Sequence, residues 1–316
     1  MRAAVADNGS VRVVERDIPK GDGELIRITS SGICGSDLHL LAAGVSGVVM
    51  GHEFGGTTED GRLVAVRPTG ECGACTECGR GLGHLCRDAG RALLGISRDG
   101  GLADFARVDA SRLIEMPAGT DPSHVGLVEP LAVVVHGVER VRPEAGSRAL
   151  VVGAGSIGLL CGAALRDRGV EVDIAARHPH QRDAAERLGL TPTDAEGTTN
   201  SSVYDSAFDA VCSQQSFDAC VTGLRPRGIL LEFGMFWSPV SMSNALLMKE
   251  VTLLPSIFYS HDHANEDFRA AADLLARRPG IASALVTHQF GLHEAADAVR
   301  CADDRASGAI KVHIRV

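Results

Sequence analysis

The stretch Val151-Val152-Gly153-Ala154-Gly155-Ser156-Ile157-Gly158 decides the fold of the second half of this 316-residue chain. An apolar run leads into it and an Ala/Leu-rich segment follows, so the pattern reads strand, G-x-G-x-x-G, helix. In such a turn the first glycine makes the bend, the second lets the backbone approach a pyrophosphate and the third allows close helix packing. The helix N-terminus then favours phosphate oxygens. A tight strand–helix turn without a ligand is the alternative. The residues assigned to a dinucleotide turn are Gly153, Gly155, Ser156, Ile157 and Gly158.

Outward from this turn, from about residue 130 to 255, short apolar runs alternate with helix-like segments. Strand-like runs lie at 149–152, 170–175, 210–212 and 228–233, and helix-like segments run from the glycine turn to 168 and from 181 to 188. Repeated strand–helix–strand order predicts a parallel sheet with crossover helices.

The regions on either side have a different composition and hydrophobic pattern. Residues 1 to about 125 are rich in glycine and in short Val/Ile runs such as 62–66, which predicts short strands joined by turns. The last part predicts helices at 266–277 and 294–300 and a terminal strand at 310–316. A chain of this length also favours two domains.

Composition excludes several classes of partner. A net charge of −9 with 22% charged residues gives no basic footprint for nucleic acid. No stretch resembles a membrane span of 18 or more apolar residues, and an acid at Asp7 interrupts any signal-like run. We therefore expect a cytoplasmic protein with no membrane and no nucleic-acid partner. Nine cysteines without a signal peptide favour metal over disulfides.

The spacing Cys72-x2-Cys75-x2-Cys78-x7-Cys86 is the strongest single signal. Zinc accepts four thiolates in a tetrahedron, and one glycine-rich loop is able to supply all four. Such a closed site has no open position, so it predicts a structural ion. Free or disulfide-bonded cysteines and an iron–sulfur cluster are the alternatives.

A second group of metal-ligating residue types is dispersed along the chain. Cys34 and His52 offer a thiolate and an imidazole, and Glu53 and Glu129 offer carboxylates. Three protein ligands with an open position would make a catalytic zinc site. From spacing alone the indication is weak, because a lone histidine is usually a core or surface residue and a buried cysteine often acts as a small hydrophobe.

The motifs together resemble the zinc-containing medium-chain dehydrogenase/reductase superfamily, in its alcohol and polyol dehydrogenase branch. The resemblance rests on Gly32-Ile33-Cys34-Gly35-Ser36-Asp37-Leu38-His39, Gly51-His52-Glu53, the four-cysteine loop, Asp99-Gly100-Gly101-Leu102-Ala103-Asp104-Phe105, Glu129-Pro130-Leu131-Ala132, the glycine turn and Gly308-Ala309-Ile310-Lys311-Val312. It implies an α/β protein with a GroES-like β-rich catalytic domain, residues 1–128 and 257–316. A Rossmann doubly wound parallel-sheet domain, residues 129–256, is expected between those two segments.

The resemblance also implies the metal ligands. Cys34 and His52 resemble ligands of the family's catalytic zinc, and Glu53 is a direct or exchangeable ligand in the family. Glu129 stands where ethanol-type members have a second cysteine and polyol-type members a glutamate. One catalytic and one structural zinc are expected.

A polar relay is implied around the catalytic metal. Asp37 is expected to hydrogen-bond His52 and fix its ring. Ser36 is expected to contact the substrate hydroxyl, and His39 to lie at the outer end of the proton relay, since imidazoles exchange protons with water near neutral pH.

Cofactor preference depends on the end of the second strand of the dinucleotide domain. NAD-preferring members have an acid there, but Ala176 occupies that position and Arg177 follows it. Because a 2′-phosphate needs a cation, this pattern favours NADP, with Arg182 and His178 as further candidates. A solvated Arg177 or His178 is the alternative, and Asp173 lies too early to bind the ribose.

The expected activity is hydride transfer between NADP, or NAD, and a secondary alcohol or ketone. A polyol, sugar alcohol, cyclitol or amino alcohol is the expected substrate, and a homodimer or homotetramer the expected assembly. A zinc-free quinone or enoyl reductase of the same superfamily, or a non-catalytic NADP-binding protein, are the alternatives. Only eleven residues separate His39 from Gly51, which is short for the family. Met235, Phe236 and Trp237 are predicted either to line a pocket or to pack in the core.

Overall fold

The computed structural model describes residues 1–194, 202–260 and 265–316. The chain divides into two compact units. Unit 1 comprises Met1–Glu129 and Ser260–Val316, and unit 2 comprises Pro130–Tyr259.

Unit 1 is built mainly from strands. They are β1 (Arg2–Asp7), β2 (Ser10–Glu15), β3 (Glu24–Ile33), β4 (Glu53–Thr58), β5 (Leu63–Val66), β6 (Phe105–Val108), β7 (Leu113–Glu115), β14 (Val286–Gly291) and β15 (Lys311–Arg315). Strands β1 and β2 form a separate antiparallel pair. The others form one sheet in the order β14-β15-β3-β4-β5-β7, with β6 also pairing with β3. The short strands expected for residues 1–125 are therefore present, including the run at 62–66, which forms β5.

Short helices cover the rest of unit 1. They are α1 (Gly35–Ala42), α2 (Thr76–Gly79), α8 (Glu266–Arg277), α9 (Gly280–Leu285) and α10 (Ala295–Asp303), with 3₁₀ turns at Gly83–Leu85, Ala89–Ala92, Ala110–Arg112, Pro122–Leu127 and Leu292–Glu294. Helix α10 buries Ala295 and Ala298 in one apolar cluster with Val312 and Ile314 of β15. This packing fixes the position of β15, which carries a residue of the site described below.

Unit 2 alternates strands and helices. Its strands are β8 (Arg148–Val152), β9 (Glu171–Ala175), β10 (Thr191–Thr193), β11 (Tyr204–Asp209), β12 (Leu224–Glu232) and β13 (Thr252–Pro255). Its helices are α3 (Val128–Val141), which begins at the unit boundary, α4 (Ser156–Asp167), α5 (Pro179–Arg187), α6 (Gln214–Gly223) and α7 (Asn244–Met248).

The sheet of unit 2 has the order β10-β9-β8-β11-β12-β13, and each neighbouring pair is parallel. From β8 the strands are added in one direction, to β9 and β10, and from β11 they are added in the opposite direction, to β12 and β13. The carboxyl ends of β8 and β11 therefore flank a topological switch point. The parallel sheet predicted from the alternating pattern is confirmed, and with it the α/β fold class.

One predicted strand is wrong. Residues 210–212 form no strand, because β11 ends at Asp209. The Asp209 carboxylate accepts the backbone N–H groups of Val211 and Cys212 at 2.8 and 2.9 Å, and Cys212 has a φ of +57°. These two bonds close a turn directly after the strand.

The described residues contain no helix that combines the length and the apolar character needed to cross a membrane.

Candidate metal centres and dinucleotide turn

Three strand ends of unit 1 meet at one edge of its sheet. Cys34 follows β3, His52 and Glu53 stand where β4 begins, and Lys311 opens β15. Because β4 and β15 both run antiparallel to β3, their starts lie beside its end. The ligand atoms of Cys34, His52 and Glu53 consequently lie within 4.8 Å of one another. A thiolate, an imidazole and a carboxylate at this separation suit a zinc ion.

Asp37 orients two members of this group. One of its carboxylate oxygens accepts the Cys34 backbone N–H at 2.9 Å, which caps the start of α1. The other lies 3.2 Å from His52 Nδ1. With Nδ1 turned to a carboxylate, Nε2 of His52 remains for a metal. Burial opposes the charged imidazole, but Asp37 and then Cys34 hold the pKa of His52 well above its ordinary value.

Two glycines provide the space for the ligands. At Gly32 a Cβ would stand 2.2 Å from Glu53 Oε2, so any side chain there would displace the carboxylate. Gly51 has a φ of +89° and places His52 at the start of β4, while its own Cβ position is 2.8 Å from Leu102 and Ser31 side chains. The Gly-His-Glu sequence thus has a local steric basis.

Lys311 is a site residue to which the sequence assigned no role. Its Nζ donates to both Glu53 carboxylate oxygens at 2.8 Å and to the Ile33 carbonyl at 3.1 Å. Burial opposes the charged amine, but Glu53, then Cys34 and Glu129, raise the pKa of Lys311 above its ordinary value. Lys311 stands between Ile310 and Val312 in the terminal strand, and a lysine flanked by apolar residues there is the signal that could have revealed this partner.

The remaining predicted residues take different positions. Ser36 Oγ lies 3.5 Å from His52 Nε2, so its hydroxyl stands beside the metal-binding nitrogen. His39 is one turn further along α1 and exposed. Glu129, in the first turn of α3, is 8% exposed but is not in the group whose ligand atoms lie within 4.8 Å.

The four cysteines of the loop at 72–86 converge on one point. Their sulfurs lie within 4.8 Å of one another, with Cys75 Sγ 3.5 Å from Cys78 Sγ and 3.9 Å from Cys86 Sγ. Four sulfurs bound to one zinc at about 2.3 Å stand about 3.8 Å apart, whereas a disulfide needs about 2.05 Å. All nine cysteines are free thiols. The disulfide interpretation is therefore excluded, and the geometry fits a tetrahedral ion.

Backbone N–H groups further favour thiolate in this loop. The amides of residues 72 and 88 donate to Cys86 Sγ at 3.3 and 3.4 Å. Those of Ala74 and Cys75 lower the pKa of Cys72 to about 7. A thiolate is the form that binds a metal.

The glycine turn of unit 2 connects β8 to α4. Gly153 has a φ of +100° between β8 and α4, and a Cβ at Gly158 would stand 1.7 Å from the Gly153 carbonyl oxygen. At Gly155, which caps α4, a Cβ would meet nothing within 4 Å. The space beside Gly155 at the N-terminus of α4 is therefore open, and a helix N-terminus is a position that favours phosphate oxygens.

The residues expected at the ribose follow β9. Ala176 is 1% exposed, and the Arg177 guanidinium is exposed and donates to Gln215 at 3.1 Å. Arg182 pairs with Asp194, and His178 precedes α5 with its ring stacked 5.5 Å from that of His180. Asp173 pairs with Arg148, so it is committed elsewhere. Of the two arginines, Arg177 hydrogen-bonds a neutral amide, whereas Arg182 is paired with a carboxylate.

In the segment 235–237 after β12, the two outer side chains are exposed, whereas the ring of Phe236 contacts the buried ring of Phe217. Met235 and Trp237 are each 64% exposed, and Phe236 is 37% exposed. Of the two interpretations of this segment, core packing is excluded for Met235 and Trp237.

Comparison with known proteins identifies the family of this chain. The family model described as "Alcohol dehydrogenase GroES-like domain" matches residues 21–118, and that described as "Glucose dehydrogenase C-terminus" matches residues 123–315. L-galactonate-5-dehydrogenase of Escherichia coli K12 is 30% identical over 303 residues, 87% of each chain. L-idonate 5-dehydrogenase (NAD(P)(+)) of the same organism is 27% identical over 333 residues, 96% of each chain. A zinc-binding dehydrogenase from Sinorhizobium meliloti 1021, solved bound to NADP, has a TM-score of 0.89 at 27% identity, covering 100% of this chain and 99% of its own.

Two metal-ligand groups, a dinucleotide turn and these matches define a zinc- and NAD(P)-dependent alcohol dehydrogenase. The chain belongs to the zinc-containing medium-chain dehydrogenase/reductase superfamily, in its alcohol and polyol dehydrogenase branch.

Proposed function

We propose that this enzyme interconverts a polyhydroxylated secondary alcohol and its ketone, preferring NADP, with one catalytic and one structural zinc in unit 1. The observation that carries the proposal is the convergence of Cys34, His52 and Glu53, with an Asp37 carboxylate oxygen 3.2 Å from His52 Nδ1. The four-cysteine loop supplies the second ion's ligands.

The chain's own residues have distinct tasks at the catalytic site. When bound, zinc supplies a Lewis acid for the alcohol oxygen, and the nicotinamide accepts the hydride. Cys34 and His52 would hold the ion, while one Asp37 oxygen accepts the Cys34 backbone N–H and the other lies 3.2 Å from His52 Nδ1. Lys311 neutralises the buried Glu53 and so limits its charge at the metal.

We assign to Ser36 the task of receiving the substrate proton. Its Oγ is 3.5 Å from His52 Nε2, which puts the hydroxyl next to the metal position. His39 is the third residue after Ser36 on α1, a spacing that places both on one helix face. Because His39 is exposed, it connects this face to water.

The substrate class is proposed from Glu129 and from relatives. Glu129 stands at the polyol-type position of the Glu-Pro-Leu-Ala motif, and two relatives are named for oxidation of hexonates, idonate and galactonate, at carbon 5. Polyols, sugar alcohols, cyclitols and sugar acids share a secondary hydroxyl flanked by hydroxyls.

The test is a panel of polyols, sugar acids and amino alcohols assayed for NADPH formation. We expect turnover on a secondary alcohol of the polyhydroxylated group and little on simple primary alcohols. Tight NADP binding with no alcohol turned over would favour a non-catalytic binding protein. Zinc-independent reduction of quinones or enoyl compounds would favour the zinc-free branch instead.

His39→Gln is expected to slow alcohol oxidation most at low pH. Glutamine keeps the size and polarity but does not accept a proton, and water is a poor proton acceptor in acid. The measurement is kcat against pH for the variant and the wild type, with a solvated histidine, His293→Gln, as control. Superimposable profiles for His39→Gln and wild type would remove His39 from the relay.

A further inference from the structure

A third group of metal-ligating side chains lies in unit 2, apart from both zinc sites of unit 1. Asp209 is the last residue of β11 and Glu232 the last residue of β12, and the two are paired in register on neighbouring parallel strands. Cys212 lies on the turn that follows β11. The ligand atoms of these three residues lie within 4.8 Å of one another.

The two carboxylates are buried without a compensating cation. Asp209 is 0% and Glu232 2% exposed, and no ion pair to either is present in the described part of the chain. Asp209 Oδ2 and Glu232 Oε1 are buried and have no hydrogen-bond partner. Two adjacent buried carboxyl groups therefore need a proton or a cation between them.

The sulfur of Cys212 lies between a backbone N–H donor and the carboxylate of Glu232, whose Oε2 is 3.4 Å away. Gly234 donates its backbone N–H to Cys212 Sγ at 3.1 Å, as the amides of residues 72 and 88 do to Cys86 in the four-cysteine loop. Only glycine fits at 234, since a Cβ there would stand 2.9 Å from the sulfur. Cys212 has a φ of +57°, a strained conformation for a cysteine that the turn nonetheless maintains.

We propose that Asp209, Cys212 and Glu232 form a third cation site, which binds a thiophilic divalent ion such as Zn²⁺. One thiolate and two carboxylates are a donor set that zinc accepts, and the ion's charge offsets the buried negative charges. Water or a backbone carbonyl completes the coordination.

The position of this site gives the ion a structural task in cofactor binding. Val211, within the turn closed by Asp209, reaches the glycine turn, where its Cγ2 is 2.5 Å from the Cβ position of Gly153. A cation joining the ends of β11 and β12 fixes this turn against the dinucleotide loop at the switch point between β8 and β11.

The first test is zinc content per chain, measured on the full-length protein after passage over a weak chelating resin. Cys212→Ser and Glu232→Gln are each expected to hold about one zinc fewer than wild type. Cys161→Ser, which also changes a buried thiol of unit 2, is the matched control and should hold as much as wild type. Equal zinc content in wild type, Cys212→Ser and Glu232→Gln would overturn the site and assign a shared proton to the carboxyl pair.

A second measurement covers the case in which a variant loses its fold. In ¹¹³Cd NMR of the cadmium-exchanged wild-type protein, we expect a third resonance beyond those of the two unit 1 sites. Glu232→Gln should lose only that resonance, and the remaining two report intact unit 1 sites. Two resonances in the wild type would contradict the proposal. Neither readout depends on alcohol oxidation, so failure of the proposed activity and failure of this site are distinguishable.

Discussion

Cys34→Ser is expected to lower kcat/KM for alcohol oxidation by at least about 10³-fold, equivalent to about 4 kcal/mol of transition-state stabilisation. Serine removes the thiolate that, in the proposed mechanism, would hold the catalytic ion together with His52 where the end of β3 meets the start of β4. The backbone around residue 34 should survive, because Asp37 caps α1 through the Cys34 N–H and not through its sulfur. The assay is steady-state kinetics alongside circular dichroism and zinc content, with loss of about one zinc.

Cys75→Ser is the matched control for this experiment. It removes a thiolate from the loop at 72–86, whose four sulfurs converge away from Cys34 and His52. We expect a lower melting temperature and loss of a different zinc, with kcat of the folded fraction preserved. Normal activity in Cys34→Ser, or equal loss of kcat in both variants of similar fold, would contradict the assignment of catalytic and structural sites.

The combination of Ala176→Asp and Arg177→Ala is expected to invert cofactor preference from NADP to NAD. A charge-assisted pair between Arg177 and a 2′-phosphate is worth roughly 1.5–3 kcal/mol, or about 10- to 150-fold in kcat/KM. The new carboxylate adds an acceptor for the ribose hydroxyl and repels the phosphate. Arg177 is available for this role because it is exposed and its present hydrogen bond is to Gln215.

The measurement is kcat/KM for NADP and for NAD in the wild type, in Arg177→Ala and in the double variant. Arg225→Ala is the control for general loss of charge, since that exposed guanidinium pairs with Asp205 and is not a cofactor candidate. Equal use of both cofactors by the wild type, unchanged in Arg177→Ala, would mean that Arg177 is solvated. A wild-type preference for NAD would reject the NADP assignment.

The elements with a strong local signal were predictable from sequence. The spacing of the four cysteines, the glycine turn after an apolar run and the helix at Glu266–Arg277 each depend on neighbouring residues. The prediction of a strand at 210–212 was wrong because the apolar character of these residues does not reveal the hydrogen bonds that the preceding side chain makes. Asp209 captures two backbone N–H groups there and turns the chain.

The side-chain contacts that could not be predicted from the sequence join residues that are far apart in the chain. Lys311 pairs with Glu53 across 258 positions, and only the antiparallel order of β15, β3 and β4 brings them together. The pairing of Asp209 with Glu232 likewise depends on the register of β11 against β12. Sheet order and register are set by the whole core, so a local pattern does not contain them.

The central claim, that alcohol oxidation depends on zinc held by Cys34 and His52, is tested most directly by removing and restoring the ion. Wild-type protein stripped with a chelator should lose NADP reduction with the best substrate of the polyol panel, and added Zn²⁺ should restore it. Cys34→Ser treated in the same way should stay inactive. Zinc-free wild-type protein that oxidises the alcohol at the original rate would contradict the account.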